Sequence, residues 1–220
     1  MTQIKDFPIK TTAENGDFLT LQNPTTGLTY SIQMSDFLKG VTTGSPTPPA
    51  STNLTYATSG DTNGLFYYLG TEKKTQSWVN PINKGLIVSA SSVASGSLES
   101  LVNRDESQFY TSNSPNSWVS FSTGSGKLKS NGYSIRVRNS NLYYPRNWKL
   151  RGSNDNGSSW ADLDIQANNT TLDTASEWLF LPVTPSISYS LFQILNYGLD
   201  SEGHNYFCLG EVELYGEYQA

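Results

Sequence analysis

The sequence predicts an all-β protein, and three observations carry that prediction. Short runs alternate apolar and polar residues with period two, from Gly85-Leu86-Ile87-Val88-Ser89-Ala90 to Gly210-Glu211-Val212-Glu213-Leu214-Tyr215. Turn chemistry separates the runs, with 18 Gly and 10 Pro set among many Ser, Thr and Asn. Almost no stretch carries the stripe of an amphipathic helix. Many short strands without helices indicate an antiparallel sandwich or barrel.

Residues 1–40 read as a small N-terminal β-hairpin module. Phe18-Leu19-Thr20-Leu21-Gln22 and Leu28-Thr29-Tyr30-Ser31-Ile32-Gln33 both alternate, and Asn23-Pro24-Thr25-Thr26-Gly27 between them is turn chemistry. Leu19 and Leu21 are expected to face Leu28, Tyr30 and Ile32. Ser35 offers an N-cap to one helical turn, Asp36-Phe37-Leu38-Lys39, closed by Gly40. A unit this small buries too little surface to fold alone, so it needs its own domain or copies of itself.

From Gly40 to Gly60 the chain carries no charge and contains Ser45-Pro46-Thr47-Pro48-Pro49-Ala50-Ser51-Thr52. Proline stiffens such a segment, so residues 41–60 read as a semi-rigid Pro/Ser/Thr linker and the domain boundary. Residues 61–220 then hold the remaining β runs, including Ser117-Trp118-Val119-Ser120-Phe121, Tyr133-Ser134-Ile135-Arg136-Val137-Arg138 and Ser190-Leu191-Phe192-Gln193-Ile194-Leu195. Asn156-Gly157 is a hairpin turn, because both residues tolerate positive φ.

Only 15% of residues are charged and the formal net charge is −5. That leaves no footprint for nucleic acid or an anionic membrane surface. No apolar run is long enough to span a bilayer. Cys208 is the only cysteine, which excludes an internal disulfide, and Met1–Pro8 lacks the apolar stretch of a secretory signal. Folding in a reducing cytoplasm is the expectation.

Several segments in order resemble the galactose-binding-like jelly roll of the discoidin or coagulation-factor type C group. They are Asn63-Gly64-Leu65-Phe66-Tyr67-Tyr68-Leu69-Gly70-Thr71 with Trp78-Val79-Asn80-Pro81, Val88–Ser92, Ser117–Phe121, Trp148 through Trp160, Phe192-Gln193-Ile194 and Gly210–Gly216. The resemblance implies an antiparallel jelly-roll β-sandwich over residues 61–220. Gly16-Asp17-Phe18-Leu19, Gly27–Ile32 and Ser35-Asp36-Phe37-Leu38 are similar to N-terminal modules of bacteriophage tail fibres and other virion appendages. That second likeness implies a homotrimer docked onto virion tail, baseplate or capsid proteins, assembled in the bacterial host cytoplasm.

Two loops hold candidate glycan-binding residues. In lectins of this fold the loop at 139–146 supplies arginines and aromatics, which makes Tyr143, Tyr144 and Arg146 candidates; guanidinium donors pair with vicinal hydroxyls and a ring stacks on a pyranose. The loop at 199–206 adds Asp200, His204 and Tyr206. With one His in the chain, a zinc site there is weak. The resemblance also implies calcium near 101–110, with Asn103 and Asp105 as candidates for Ca²⁺. Trp118, Trp148, Trp160 and Trp178 read as core or core-edge aromatics, and Cys208 as a small buried hydrophobe.

No catalytic motif is present: there is no G-x-S-x-G, H-E-x-x-H or phosphate loop, and no marked carboxylate pair. The expected function is therefore binding without catalysis. A virion appendage would present the sandwich to a host cell-surface glycan; the alternatives are a purely structural virion protein and a carbohydrate-binding module of a cellular protein.

Overall fold

The computed structural model describes residues 18–22, 26–27, 29–33, 50–184 and 187–220. The chain forms two compact units, Met1–Pro48 and Pro49–Ala220. In the first, β1 (Phe18–Gln22) pairs antiparallel with β2 (Thr29–Gln33). Leu19 lies opposite Ile32 and Leu21 opposite Tyr30, the register expected from the alternation. Leu28, the helical turn expected at 36–39 and residues 41–49 of the expected linker lie outside the described residues.

The second unit is a β-sandwich. Its strands are β3 (Ser51–Leu54), β4 (Ile87–Ala90), β5 (Phe109–Tyr110), β6 (Trp118–Ser122), β7 (Lys127–Arg136) and β8 (Trp148–Ser153), followed by β9 (Ala161–Gln166), β10 (Trp178–Pro182), β11 (Leu191–Asn196), β12 (Cys208–Leu209) and β13 (Glu211–Gln219). One sheet has the order β10-β7-β13-β3, the other β4-β6-β11-β8-β9, and β12 pairs with β5. All these pairings are antiparallel. Between the sheets lie Phe121, Tyr133, Ile135, Trp148, Leu150, Phe192, Ile194 and Leu214, all fully buried.

Alternation decides which side chains reach that core. In β6, Val119 and Phe121 point inward and are 0% exposed, while Trp118 and Ser122 are half-buried on the outer face. The Asn156-Gly157 turn has φ of 56° and 84°, and the hairpin it closes joins β8 to β9. Of the four tryptophans assigned to the core or its edge, Trp148 is fully buried, and Trp118, Trp160 and Trp178 are half-buried.

The expected linker boundary is corrected. Ser51–Leu54 is an edge strand paired with Gly216–Gln219, and the Tyr56 ring stacks on Phe180 at 3.9 Å. The sandwich therefore starts well before residue 61. Prolines 46, 48 and 49 suggested a stiff spacer, but the partner that makes 51–54 a strand lies at the other end of the sequence.

The near absence of helix also needs one exception. Leu65–Gly70 forms a short helix, α1, capped from a distance. Glu213 Oε1 accepts from Phe66 N at 2.7 Å and Oε2 from Tyr67 N at 3.1 Å, which satisfies donors at the start of the helix. Gly64 is required by this approach, because a Cβ there would lie 2.0 Å from Glu213 Cγ. With α1 over one face and the core beneath the other, β13 is buried from Glu211 to Gly216.

Candidate functional site

The loop after β7 and the loop after β11 meet at one end of the sandwich. Ser201 N donates to Tyr144 O, and Tyr144 N donates to Ser201 Oγ, both at 3.0 Å. This pairing brings the Tyr143 ring to 5.4 Å from His204 and 5.3 Å from Tyr206, centroid to centroid. Tyr110, at the end of β5, sits edge-on to Tyr206 at 6.2 Å.

These rings frame a recess of about 210 Å³ lined by Tyr110, Arg138, Tyr143, Tyr206 and Cys208. The Arg138 guanidinium lies 5.0 Å from the Tyr143 ring centre and 5.4 Å from that of Tyr110, within cation–π range of both. Its Nη2 donates to Ser140 Oγ at 3.1 Å, while its buried Nε has no hydrogen-bond partner among the described residues. A buried unpaired donor carries a desolvation cost.

Tyr143 holds φ of +63°, a left-handed conformation unusual for a bulky residue. Such strain concentrates at ligand sites, where neighbouring contacts hold it in place. Cys208 closes the back of the recess, 1% exposed. Burial pushes its thiol up to about 12 despite the opposing charge of Arg138, so it is a neutral, small wall rather than a thiolate.

The structure separates the sequence candidates into two groups. Tyr143, His204 and Tyr206 come together at the recess. Tyr144 does not reach it: the residue is 6% exposed, and its hydroxyl donates to Asn141 Oδ1 at 3.2 Å. Arg146 turns away too, its Nη1 donating to Asn169 O and Leu172 O at 3.1 and 2.6 Å, which clamps the loop after β9. Asp200 has a fully buried side chain whose Oδ1 accepts from Glu202 N and His204 N, both at 2.9 Å. It shapes the turn that presents His204. Adjacent residues in a loop do not share a direction, and no local pattern distinguishes Tyr143 from Tyr144.

Two recess residues escaped the sequence reading, Tyr110 and Arg138. Arg138 lies just past the end of β7, where a strand delivers its last side chains to the loop end. That position next to a tyrosine-rich loop was the available signal. Tyr110 belongs to a two-residue strand, too short for any periodicity to show.

Asn103 and Asp105, the residues considered for calcium, are joined in one turn. Asn103 Nδ2 donates to Asp105 Oδ2 at 2.6 Å, and Asp105 Oδ1 accepts from Ser107 N at 2.7 Å, so both carboxylate oxygens serve the turn. The neighbouring Glu106 is engaged by Arg136 and Ser176. Among the described residues no group of three or more His, Cys, Asp or Glu is placed to hold a metal. No helix among them is long and apolar enough to cross a membrane.

No family model matches the chain. It is similar to E3 ubiquitin-protein ligase Ufd4 of Drosophila melanogaster, 29% identical over 178 residues that make up 76% of this chain and 6% of that protein. It is also similar to BTB/POZ domain-containing protein At2g30600 of Arabidopsis thaliana, 27% identical over 181 residues, 76% of this chain and 22% of that one. The chain therefore spans only a small part of these curated relatives.

Among solved structures it resembles CBM32-3, a carbohydrate-binding module from a family 31 glycoside hydrolase of Clostridium perfringens, with TM-score 0.51 and 16% identity over 60% of this chain and 90% of that one. A fucolectin from striped bass (Morone saxatilis) serum follows, with TM-score 0.50 and 14% identity over 61% of this chain and 46% of that one. The Pro49–Ala220 unit thus has the galactose-binding-like jelly-roll fold that the resemblance implied.

Proposed function

We propose that the Pro49–Ala220 unit is a non-catalytic carbohydrate-binding module that takes one terminal sugar in the Tyr110–Tyr143–Tyr206 recess. The observation that carries this reading is Arg138, held between two tyrosine rings with Nε unpaired among the described residues. A sugar ring offers what that arrangement lacks, vicinal hydroxyls for the guanidinium edge and a C–H face for a tyrosine. The fold it shares with carbohydrate-binding modules supports the same class by analogy. In a longer cellular protein the module would hold that protein against a glycan.

The test is a glycan array probed with the full chain, followed by titration of the best ligand against Tyr143→Ala and Tyr206→Ala. Binding weakened at least roughly tenfold in both, with unfolding temperatures retained, is the expected result. An array with no ligand for the folded protein would remove this reading.

A second reading adds a carrier. In it residues 1–40 trimerise and dock onto a virus particle, and the sandwich recognises host glycan or serves only as a virion part. The β1–β2 hairpin, too small to be stable alone, is the observation in its favour. Light scattering of the full chain decides: a trimer supports the carrier, and a monomer removes it.

A further inference from the structure

We infer that the outer face of the five-stranded sheet is a second binding site, for a linear acidic oligosaccharide laid between Trp118 and Trp160 with a carboxylate on Arg151. This goes beyond the terminal-sugar reading and shares no residue with the recess that serves it.

The outer face of an antiparallel sheet normally carries small and polar residues in water. Here, a row of outward side chains runs in register across the strands: Ser89 opposite Ser120, Ser120 opposite Gln193, Gln193 opposite Arg151. Tryptophans stand on either side of it. Trp118 starts β6, and the Asn156-Gly157 turn brings Trp160 back beside Arg151, whose guanidinium lies 5.0 Å from the indole centre. The result is a groove of about 470 Å³, more than twice the volume of the recess.

Its floor is polar but sheltered. Ser120 is 8% exposed and Gln193 5%, both buried for outer-face residues. Gln193 Oε1 accepts from both Arg151 Nε, at 2.8 Å, and Arg151 Nη2, which fixes the guanidinium plane. That pairing uses the Gln193 carbonyl and leaves its amide NH₂, with Arg151 Nη1, free of protein partners among the described residues.

Charge selects the occupant. Asp162 stands opposite Arg151 in the ladder but is engaged by Lys149 at 2.7 Å, and no carboxylate lies within ion-pair distance of Arg151 among the described residues. A guanidinium fixed by a neutral amide and partly desolvated, with Asp162 acting on it only beyond ion-pair distance, fits a ligand carboxylate through a charge-assisted pair. The flanking indoles suit pyranose faces on either side of it. A chain of sugars carrying uronate groups supplies both chemistries along one line.

The probe is a uronic-acid tetrasaccharide titrated into the full chain and followed by tryptophan fluorescence, with a neutral glucose tetrasaccharide alongside. The expected result is saturable binding of the uronate, at least roughly tenfold weaker in Trp160→Ala and in Arg151→Gln, unchanged in Tyr143→Ala, and weakened by salt. Circular dichroism confirms that each variant is folded, and Trp118→Phe, which keeps a ring, is expected to retain binding. No uronate binding by the folded protein overturns the site. Equal affinity for the neutral tetrasaccharide, with Arg151→Gln unaffected, overturns the acidic ligand. Loss in Tyr143→Ala but not in Trp160→Ala would place the sugar in the recess and overturn the groove. Because Tyr143 serves the recess alone, failure here leaves the terminal-sugar reading standing.

Discussion

The guanidinium of Arg138 sits 5.0 Å from the centre of the Tyr143 ring, and Tyr143 reaches it only by adopting φ of +63°. The contact and the strain belong together. A left-handed backbone costs an L-residue about 1–2 kcal/mol, and the ring's contacts with Arg138, His204 and Tyr206 offset it.

Replacing Tyr143 by Gly separates stability from binding. Glycine relieves the backbone strain, about 1 kcal/mol or more, and forfeits ring contacts of about the same total size. The unfolding temperature is expected to move little, whereas sugar binding falls at least roughly tenfold. Scanning calorimetry and titration on one preparation check both. A large loss of stability would mean that Tyr143 is chiefly a packing residue.

A buried chain of hydrogen bonds ties the two sheets together. Trp148 Nε1 donates to Tyr133 Oη at 2.8 Å, and that hydroxyl donates to Asp164 Oδ2 at 2.7 Å. Burial, followed by the Asp164 carboxylate, pushes the Tyr133 hydroxyl well above its ordinary range, so it remains a donor. Tyr133→Phe strands the indole N–H and is expected to cost about 1–3 kcal/mol. Trp148→Phe adds lost volume and is expected to cost about 2–4 kcal/mol. Denaturant titration of both single variants and the double is expected to show less than additive loss, because the second change removes a group already unpaired. Strict additivity would count against a coupled chain.

Stability should fall as pH rises from about 4.5 towards 8. Burial lifts the Glu211 carboxyl to about 7, against the charges of Arg104 and Arg136, and lifts Glu213 to about 8, against its backbone N–H donors. Both folded values exceed that of an unfolded glutamate, so the native state binds more protons across this window. The stabilisation is complete below the unfolded value and is lost as pH passes the folded ones. Urea midpoints between pH 4.5 and 8.5 measure this, and Glu211→Gln should flatten part of the slope. A midpoint that rises over the window would mean that the donors from Phe66, Tyr67 and Leu214 keep Glu213 ionised.

Cys208 should resist thiol reagents while the protein is folded. It is 1% exposed, and burial holds its thiol near 12, so very little thiolate exists at pH 8. Reaction with a disulfide reagent is expected to follow unfolding, rising steeply across the denaturant midpoint. Rapid labelling in buffer alone would show that the back wall of the recess opens.

Local chemistry by itself determined a good part of this protein. Period-two alternation marked β6, β7, β11 and β13 and so an antiparallel sandwich or barrel, the Asn156-Gly157 pair marked the hairpin between β8 and β9, and the jelly roll was implied by the family resemblance of these segments. Such signals lie within a few residues of one another, where backbone geometry alone dictates which side chains share a face. Tertiary structure alone decided the rest. Ser51–Leu54 is a strand because Gly216–Gln219 pairs with it, and α1 is capped by Glu213, 147 residues from the donor at Phe66. The recess needs Tyr110, Arg138, Tyr143 and Tyr206 from separate parts of the chain. Tyr143 faces it while Tyr144 is buried, because the 199–206 loop packs against both and holds one backbone angle in the left-handed region. No pattern within the loop encodes that choice; it depends on side chains that become neighbours only when the sandwich closes.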